Sequence, residues 1–510
     1  MTSLGASRRV RLSAARWWRL PEIPRPRAEL PALVLAVLAS ALTGALAAVT
    51  GGWKVPGALL ALVGLASLGV LRPRFFLGMF VLLRPLVALV SSKQLIPGLA
   101  SANANGLTGL LLLVVLLAMA LTARSMFTPR ATPAFAALLT ASAIATAWAI
   151  VGLHGKAGGD PISELVRLMS LAAMYLLAAN LFDTVARSRL LLKLFALSGV
   201  APATIGVVEW ASGSASYRAQ LGVSRIGSTL GGGSNTLAAY LAATALIMIA
   251  GRTGLPRWLR WSTSALMVAA LVGTYSREGW LIFMLGLIAL GWRRQRMLVL
   301  GVLAVTGVLV FAVPSIHDRL LPAKTRVVSG HSETALTSFN WRLHDWSELW
   351  GKVTQSPLVG YGLGTELYVN PYLNAYEDYK VGWNSHNSGL TILIEGGVAL
   401  LLFWIVLFTS MLRVLREMAR CAWELAHAAS LTSALWIAVI VAGLATEDTL
   451  DETTLVFIML ALTGSLEAAR RSRRAERAEL AERLRRPPET AQVRPVAGRP
   501  HAASRPGALT

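Results

Sequence analysis

The sequence predicts an all-α polytopic membrane protein of about 12–14 transmembrane helices, with one large outer loop that contains short amphipathic helices. Three observations predict it. Hydrophobic residues make up 55% of the 510 and charged residues only 15%. Apolar runs of about twenty residues, the length that crosses a bilayer as a helix, recur along almost the whole chain. Lys and Arg gather in alternate connections between those runs, as the positive-inside rule requires of a membrane protein.

Residues 1–30 form a basic segment running from Arg8 to Arg27 in which Trp17 and Trp18 read as an interfacial anchor. The first apolar run starts near Pro31, is long and is followed by many more, so it reads as a span rather than a cleavable signal peptide. Spans fall at roughly 31–50, 55–71, 75–92, 106–123, 132–152, 162–182, 190–210, 236–251, 260–276, 278–292, 297–314, 389–411, 430–446 and 453–468. The chain therefore divides into a membrane region at 31–314, a loop at 315–388, a second membrane region at 389–468 and a tail at 469–510.

With the N-terminus inside, the inner connections carry Arg72/Arg74, Arg124/Arg130, Arg187/Arg189/Lys193, Arg252/Arg257/Arg260, Arg293/Arg294/Arg296 and Arg413/Arg416/Arg420. The short outer turns carry little beyond Lys54, Lys93 and Lys156. An even span count puts both termini in the cytoplasm. The net charge of +22 is then topology and contact with anionic lipid, not nucleic-acid binding. Cys421 is the single cysteine, which rules out an intramolecular disulfide. The tail begins as a charged helical stretch, RRSRRAERAELAERLRR, and its Pro-, Ala- and Arg-rich remainder is expected to be disordered.

A loop of about seventy residues is long enough to carry function or structure of its own. Within it FNWRLHDWSELWGKV places Phe339, Leu343, Trp346, Trp350 and Val353 at helical spacing, an amphipathic helix suited to lie on a membrane surface or lid a cavity. The loop ends in WNSHN, so that the following span opens on His386 and Asn387. Such polar residues cap a helix, or they face a reaction at the membrane surface.

The topology collects Arg225 and Asn235 of SRIGSTLGGGSN, Arg277 of TYSREGW, Arg342 of FNWRLHDW and the His386–Asn387 pair on one face of the membrane. Arginine stays charged and grips phosphate oxygens through paired donors. Histidine can take a proton from an attacking hydroxyl. The set suits a phosphate-bearing lipid reacting with a sugar hydroxyl, with Asn387 orienting the imidazole or the sugar. Taken singly each residue has a plainer reading. Arg84 and Arg167, a few residues inside their spans, read as snorkelling anchors. Glu164 stands three residues before Arg167, the spacing of a helical ion pair, and Arg167 is also carried as a substrate-binding candidate because intramembrane charge is functional by default. Gly396 and Gly397 read as helix-packing positions. No metal site is expected: His154, His317, His331, His344 and His386 show no helical pairing, and the chain holds no Asp-x-Asp.

The order RIGSTLGGGSNTLAAYL, YSREGW, NWRLHDWSELWGKVTQSPLVGYGLG and NSHNSGLTILIEGG, over roughly 225–410, resembles the bacterial O-antigen ligase and polymerase superfamily. The resemblance implies a cofactor-free, metal-independent glycosyltransferase of the bacterial cytoplasmic (inner) membrane, whose donor is a glycan on undecaprenyl diphosphate at the outer face. The acceptor it implies is a sugar hydroxyl on lipid A–core, on a growing glycan or on a protein. By resemblance His386 is the base or acceptor-orienting residue, Arg277 and Arg342 grip the diphosphate, and Arg225 is the arginine ahead of the Gly-Ser turn. His386, Asn387 and Gly397 fit the ligase pattern, whereas Leu400 stands where that pattern has Gly, Thr or Tyr. Ligase and polymerase both remain open. The alternative class is a polysaccharide transporter or lipid-linked-sugar flippase, which needs the arginines but no base.

Overall fold

The computed structural model describes residues 54–87, 104–123, 125–152, 161–218, 223–226, 233–250, 252–291, 338–369, 385–421, 423–444 and 453–485. The helices are α1 Lys54–Leu71, α2 Pro73–Val87, α3 Ala104–Thr122, α4 Thr132–Ala147, α5 Pro161–Leu181, α6 Val185–Ser198 and α7 Val200–Ala211, followed by α8 Ser234–Ala250, α9 Arg257–Gly273 and α10 Arg277–Gly291. After them come α11 Ser338–Gln355, the short α12 Glu366–Val369, α13 Ser388–Arg420, α14 Ala426–Gly443 and α15 Thr453–Arg485. The chain is an all-α polytopic membrane protein. Its β-structure among the described residues is a hairpin between α7 and α8, in which β1 Ser216–Arg218 pairs antiparallel with β2 Val223–Arg225. The expected spans at 31–50 and 297–314, the Trp17–Trp18 anchor and the tail beyond 485 lie outside the described residues.

Five helical units among the described residues are long and apolar enough to cross a membrane: Thr132–Gly152, Pro161–Leu181, Val185–Ala211, Ser388–Arg420 and Ala426–Gly443. Gly106–Thr122 and Ser234–Ala250 are shorter apolar helices. The run read as one span at 190–210 lies within the unit Val185–Ala211, in which α6 and α7 meet at Gly199. A Cβ there would press into the Thr244 side chain of α8, so glycine lets the joint approach its neighbour closely. Packing links α15 with α5 and α6, α8 with α9 and α10, and α14 with both α13 and α10. One apolar core runs through these contacts.

Arg84 does not snorkel. Its side chain is 1% exposed, with the guanidinium 6.0 Å from the Phe80 ring centre and 5.8 Å from that of Phe457. Among the described residues none of its three nitrogens has a hydrogen-bond partner. Snorkelling needs a free path to the interface, and Phe457, on α15 at the far end of the sequence, closes that path.

Near the middle of α15, the Glu467 carboxylate accepts from the Arg130 backbone N–H (2.9 Å) and the Tyr175 hydroxyl (3.2 Å), and Arg130 pairs with Glu417 at 2.8 Å. Arg471 lies 4.6 Å over the Phe127 ring. These contacts tie the segment leading into α4 to α5, α13 and α15.

Candidate functional site

Two structures share the work at the start of α13. Asn387 is the cap: its side-chain oxygen accepts from the N–H groups of Gly389 (3.0 Å) and Leu390 (3.1 Å), satisfying donors that the first turn leaves orphaned. His386 is therefore not the capping residue. It sits at φ +52°, a left-handed conformation in which a non-glycine residue costs about 1–3 kcal/mol and which persists where its surroundings over-determine it.

The over-determination comes through Ser385, which is fully buried. Its N–H donates to Glu366 Oε1 of α12 (2.8 Å), and its carbonyl accepts from Trp346 Nε1 of α11 (2.7 Å). Its hydroxyl lies 3.2 Å from Thr391 Oγ1 of α13. Three elements converge on the residue before the histidine. Burial, reinforced by the Arg342 cation nearby, depresses the His386 imidazole from 6.5 to about 4, so it is neutral at pH 7.

The amphipathic reading of α11 locates the helix but not all of its buried face. Asp345, Leu349 and Val353 are buried, the last two packing with Leu390 and Ile394 of α13. Leu343 and Trp350, assigned to the same apolar stripe, are 46% and 55% exposed. Trp346 and Trp350 instead roof an apolar cavity of about 530 Å³ between α11, α13 and α14, whose polar edge is Asn387 and Ser388. Arg342 and Trp346 stand one helical turn apart on α11, so the helix that bonds to Ser385 also carries the cation beside His386.

Below this cluster α13 is broken. Gly397 has φ +64° and ψ −166° inside the helix, a combination essentially reserved for glycine. The break exposes backbone groups that the loop after α11 satisfies. Tyr361 N donates to Ile394 O and Gly362 N to Glu395 O, both at 2.8 Å. Val398 N donates to Pro357 O (2.8 Å), and Gly364 N to the Glu395 carboxylate (2.9 Å). Gly360, at φ +63°, faces the Ile394–Glu395 backbone with no room for a Cβ. The Gly396–Gly397 pair thus serves a helix break docked by a loop, rather than the helix–helix packing expected.

A second cluster forms around the hairpin. Arg225 donates from Nε to Thr274 O (2.8 Å) and from Nη2 to Asn235 Oδ1 (3.0 Å). Ile226 seats the strand: its N–H bonds Gly273 O at 3.2 Å, and its side chain fills space left by Gly206 of α7 and Gly273 of α9. Three residues after Thr274, half-buried Arg277 opens α10, next to a turn in which Tyr275 also has positive φ (+49°). The structure thus joins Arg225 to Asn235 and the Arg277 turn, and Arg342 to His386. Arg167 belongs to neither set: its Nε and Nη2 both reach Glu164 Oε2 at 2.6 Å on α5, whose main neighbours are α3, α4 and α15.

Glu366 and the bracing role of Trp346 are not apparent from sequence. Glu366 stands 19 positions before its partner Ser385, and no periodicity joins a loop carboxylate to a distant backbone N–H.

Residues 262–405 match the family described as O-antigen ligase. The matched stretch holds Arg277, Arg342, His386 and Asn387 and leaves out Arg167, Arg225 and Asn235. It supports membership of the O-antigen ligase and polymerase superfamily. Comparison with curated proteins gives no match.

Proposed function

With the match over 262–405 as premise, we propose that the chain transfers a glycan from a polyprenyl-diphosphate donor of the undecaprenyl class to an acceptor hydroxyl at the outer face of the bacterial cytoplasmic membrane. Both termini then lie in the cytoplasm, an orientation supported by the charge of the connections. The observation that carries the reading is a neutral, half-buried imidazole held in a strained conformation beside Arg342.

The acceptor oxygen attacks the anomeric carbon while its proton passes to a ring nitrogen of His386. The bond from that carbon to the diphosphate oxygen breaks on the opposite side, its electron pair leaves with the diphosphate, and the anomeric configuration inverts. Arg277 and Arg342 meet the charge developing on the leaving group. Their guanidiniums supply the positive charge that balances it, without a metal ion. His386 then returns its proton to water. Arg225 and Asn235 brace the Arg277 turn and complete the diphosphate side, and Asn387 presents its amide to the acceptor. Arg167, the remaining candidate, is ion-paired with Glu164 on α5 and has no step in this reaction. The loop helix α11 covers the site and limits access of water, the competing acceptor.

Purified protein in detergent containing a chelator, given polyprenyl-diphosphate glycans and candidate acceptors, is the test. Mass spectrometry showing free polyprenyl diphosphate and a longer lipid-linked chain identifies a polymerase. Glycan on a second lipid or a protein identifies a ligase. Bound donor with no release opposes the enzyme reading and favours transport.

A further inference from the structure

The clamp on Ser385 has a consequence for the residue beside it. Two side chains from different elements hold both backbone polar groups of one buried residue, and so the peptide units on either side of it: the Glu366 carboxylate takes the Ser385 N–H (2.8 Å), and the Trp346 indole N–H holds the Ser385 carbonyl (2.7 Å). Glu366 is 3% exposed and Ser385 is fully buried, so neither bond is exchanged cheaply for water. On the other side of His386, Asn387 is fixed as the cap of α13. The histidine is suspended between two anchored neighbours, and its backbone stays at φ +52°. Without the anchors an L-residue relaxes toward negative φ, and a change of φ at the Cα swings the imidazole.

The anchors also join two parts of the candidate site. Trp346 lies one turn from Arg342 on α11. The indole–carbonyl bond therefore sets where the α11 cation stands relative to the imidazole.

We infer that Glu366 and Trp346 are positioning residues, which clamp Ser385 and thereby hold the His386 imidazole in register with Arg342. The inference rests on the transfer reaction proposed above for its catalytic consequence, but the clamp itself can be read without turnover.

The experiment uses full-length protein in detergent and three variants: Trp346→Phe, which keeps a ring but loses the N–H; Glu366→Leu, which loses the acceptor; and Glu366→Gln, which retains an acceptor oxygen. Transfer kinetics are measured with a polyprenyl-diphosphate glycan. Carbethoxylation of His386 by diethyl pyrocarbonate is followed by peptide mass spectrometry at pH 7. We expect Trp346→Phe and Glu366→Leu to lower kcat roughly tenfold to a hundredfold, the scale of a misplaced reacting group, with donor KM within about twofold. Glu366→Gln recovers most of the rate. His386 labels at a different rate in the two damaging variants and at the wild-type rate in Glu366→Gln. Unchanged labelling in all three variants overturns the clamp whatever the activities are. Changed labelling with unchanged kcat overturns the positioning role. If wild-type protein transfers nothing while labelling still responds to Trp346→Phe and Glu366→Leu, the proposed reaction fails and the clamp stands. Size-exclusion elution at the wild-type position separates these outcomes from misfolding.

Discussion

Replacing Gly397 by alanine tests whether the break in α13 and its loop are one unit. The backbone at φ +64° and ψ −166° costs an L-residue about 1–3 kcal/mol. The new Cβ would also press into the Leu358 carbonyl and lie 2.6 Å from Val359 N. These are backbone atoms, so the strain cannot be relieved by turning a side chain. The loop must lift instead, which weakens the Val398–Pro357 and Ala399–Leu358 bonds (2.8 and 3.4 Å), each worth about 0.5–1.5 kcal/mol net. The expected cost is about 2–5 kcal/mol, concentrated where the α11 loop docks on α13. Limited trypsinolysis at Lys352 of α11 reads it directly, since cleavage follows the population of the undocked helix, and should accelerate by about tenfold or more. Gly351→Ala is the control: its Cβ has open space inside α11, so it should slow cleavage slightly, by the ~0.5–1 kcal/mol that alanine gains over glycine in a helix. Equal cleavage and melting for Gly397→Ala and wild type would refute the docking argument.

The depressed His386 pKa sets two pH dependences. Transfer should hold a plateau above about pH 5 and fall as pH drops through about 4, because the base must be unprotonated. The folded protein binds this proton less readily than the unfolded chain, so stability is full above 6.5 and declines as pH falls toward 4, by at most ~3 kcal/mol. Denaturation of His386→Gln at pH 7 and pH 4.5 should lack that component. Arg84→Met should leave the protein as stable or up to ~1–4 kcal/mol more stable, since a buried cation without hydrogen-bond partners among the described residues is replaced by an apolar chain; a marked fall in melting temperature would show that the contacts with Phe80 and Phe457 outweigh desolvation. Arg225→Ala should weaken the hairpin–turn junction by about 1–2 kcal/mol, with Asn235→Ala adding little in that background because the two share one bond; additive losses would separate them.

Periodicity carried much of this fold into view. The α11 helix, the Arg167–Glu164 pair and the polar start of α13 are all local, set by residues a few positions apart. What stayed hidden is non-local or against the local signal. Glu395 is the one charged residue in the apolar run around Gly397, so hydropathy reads one helix where the backbone breaks. Arg84 reads as an interfacial residue until Phe457 covers it. Leu343 and Trp350 share the period of Val353, yet the buried face of α11 is rotated toward Asp345 and Leu349 by the position of α13. In the candidate site His386, Arg342 and Arg277 were legible as chemistry. The Glu366–Ser385–Trp346 clamp was not, because two of its four partners are backbone atoms whose position only the fold defines.

The central claim is that His386 takes part in the transfer of a glycan from a polyprenyl-diphosphate donor. The most direct measurement is a single-turnover assay of donor consumption by purified wild-type and His386→Ala protein, with donor binding measured on the same samples. The account predicts that both bind donor within a few-fold of each other and that only wild type releases polyprenyl diphosphate and forms glycosylated acceptor. Equal rates of release from the two proteins would contradict it.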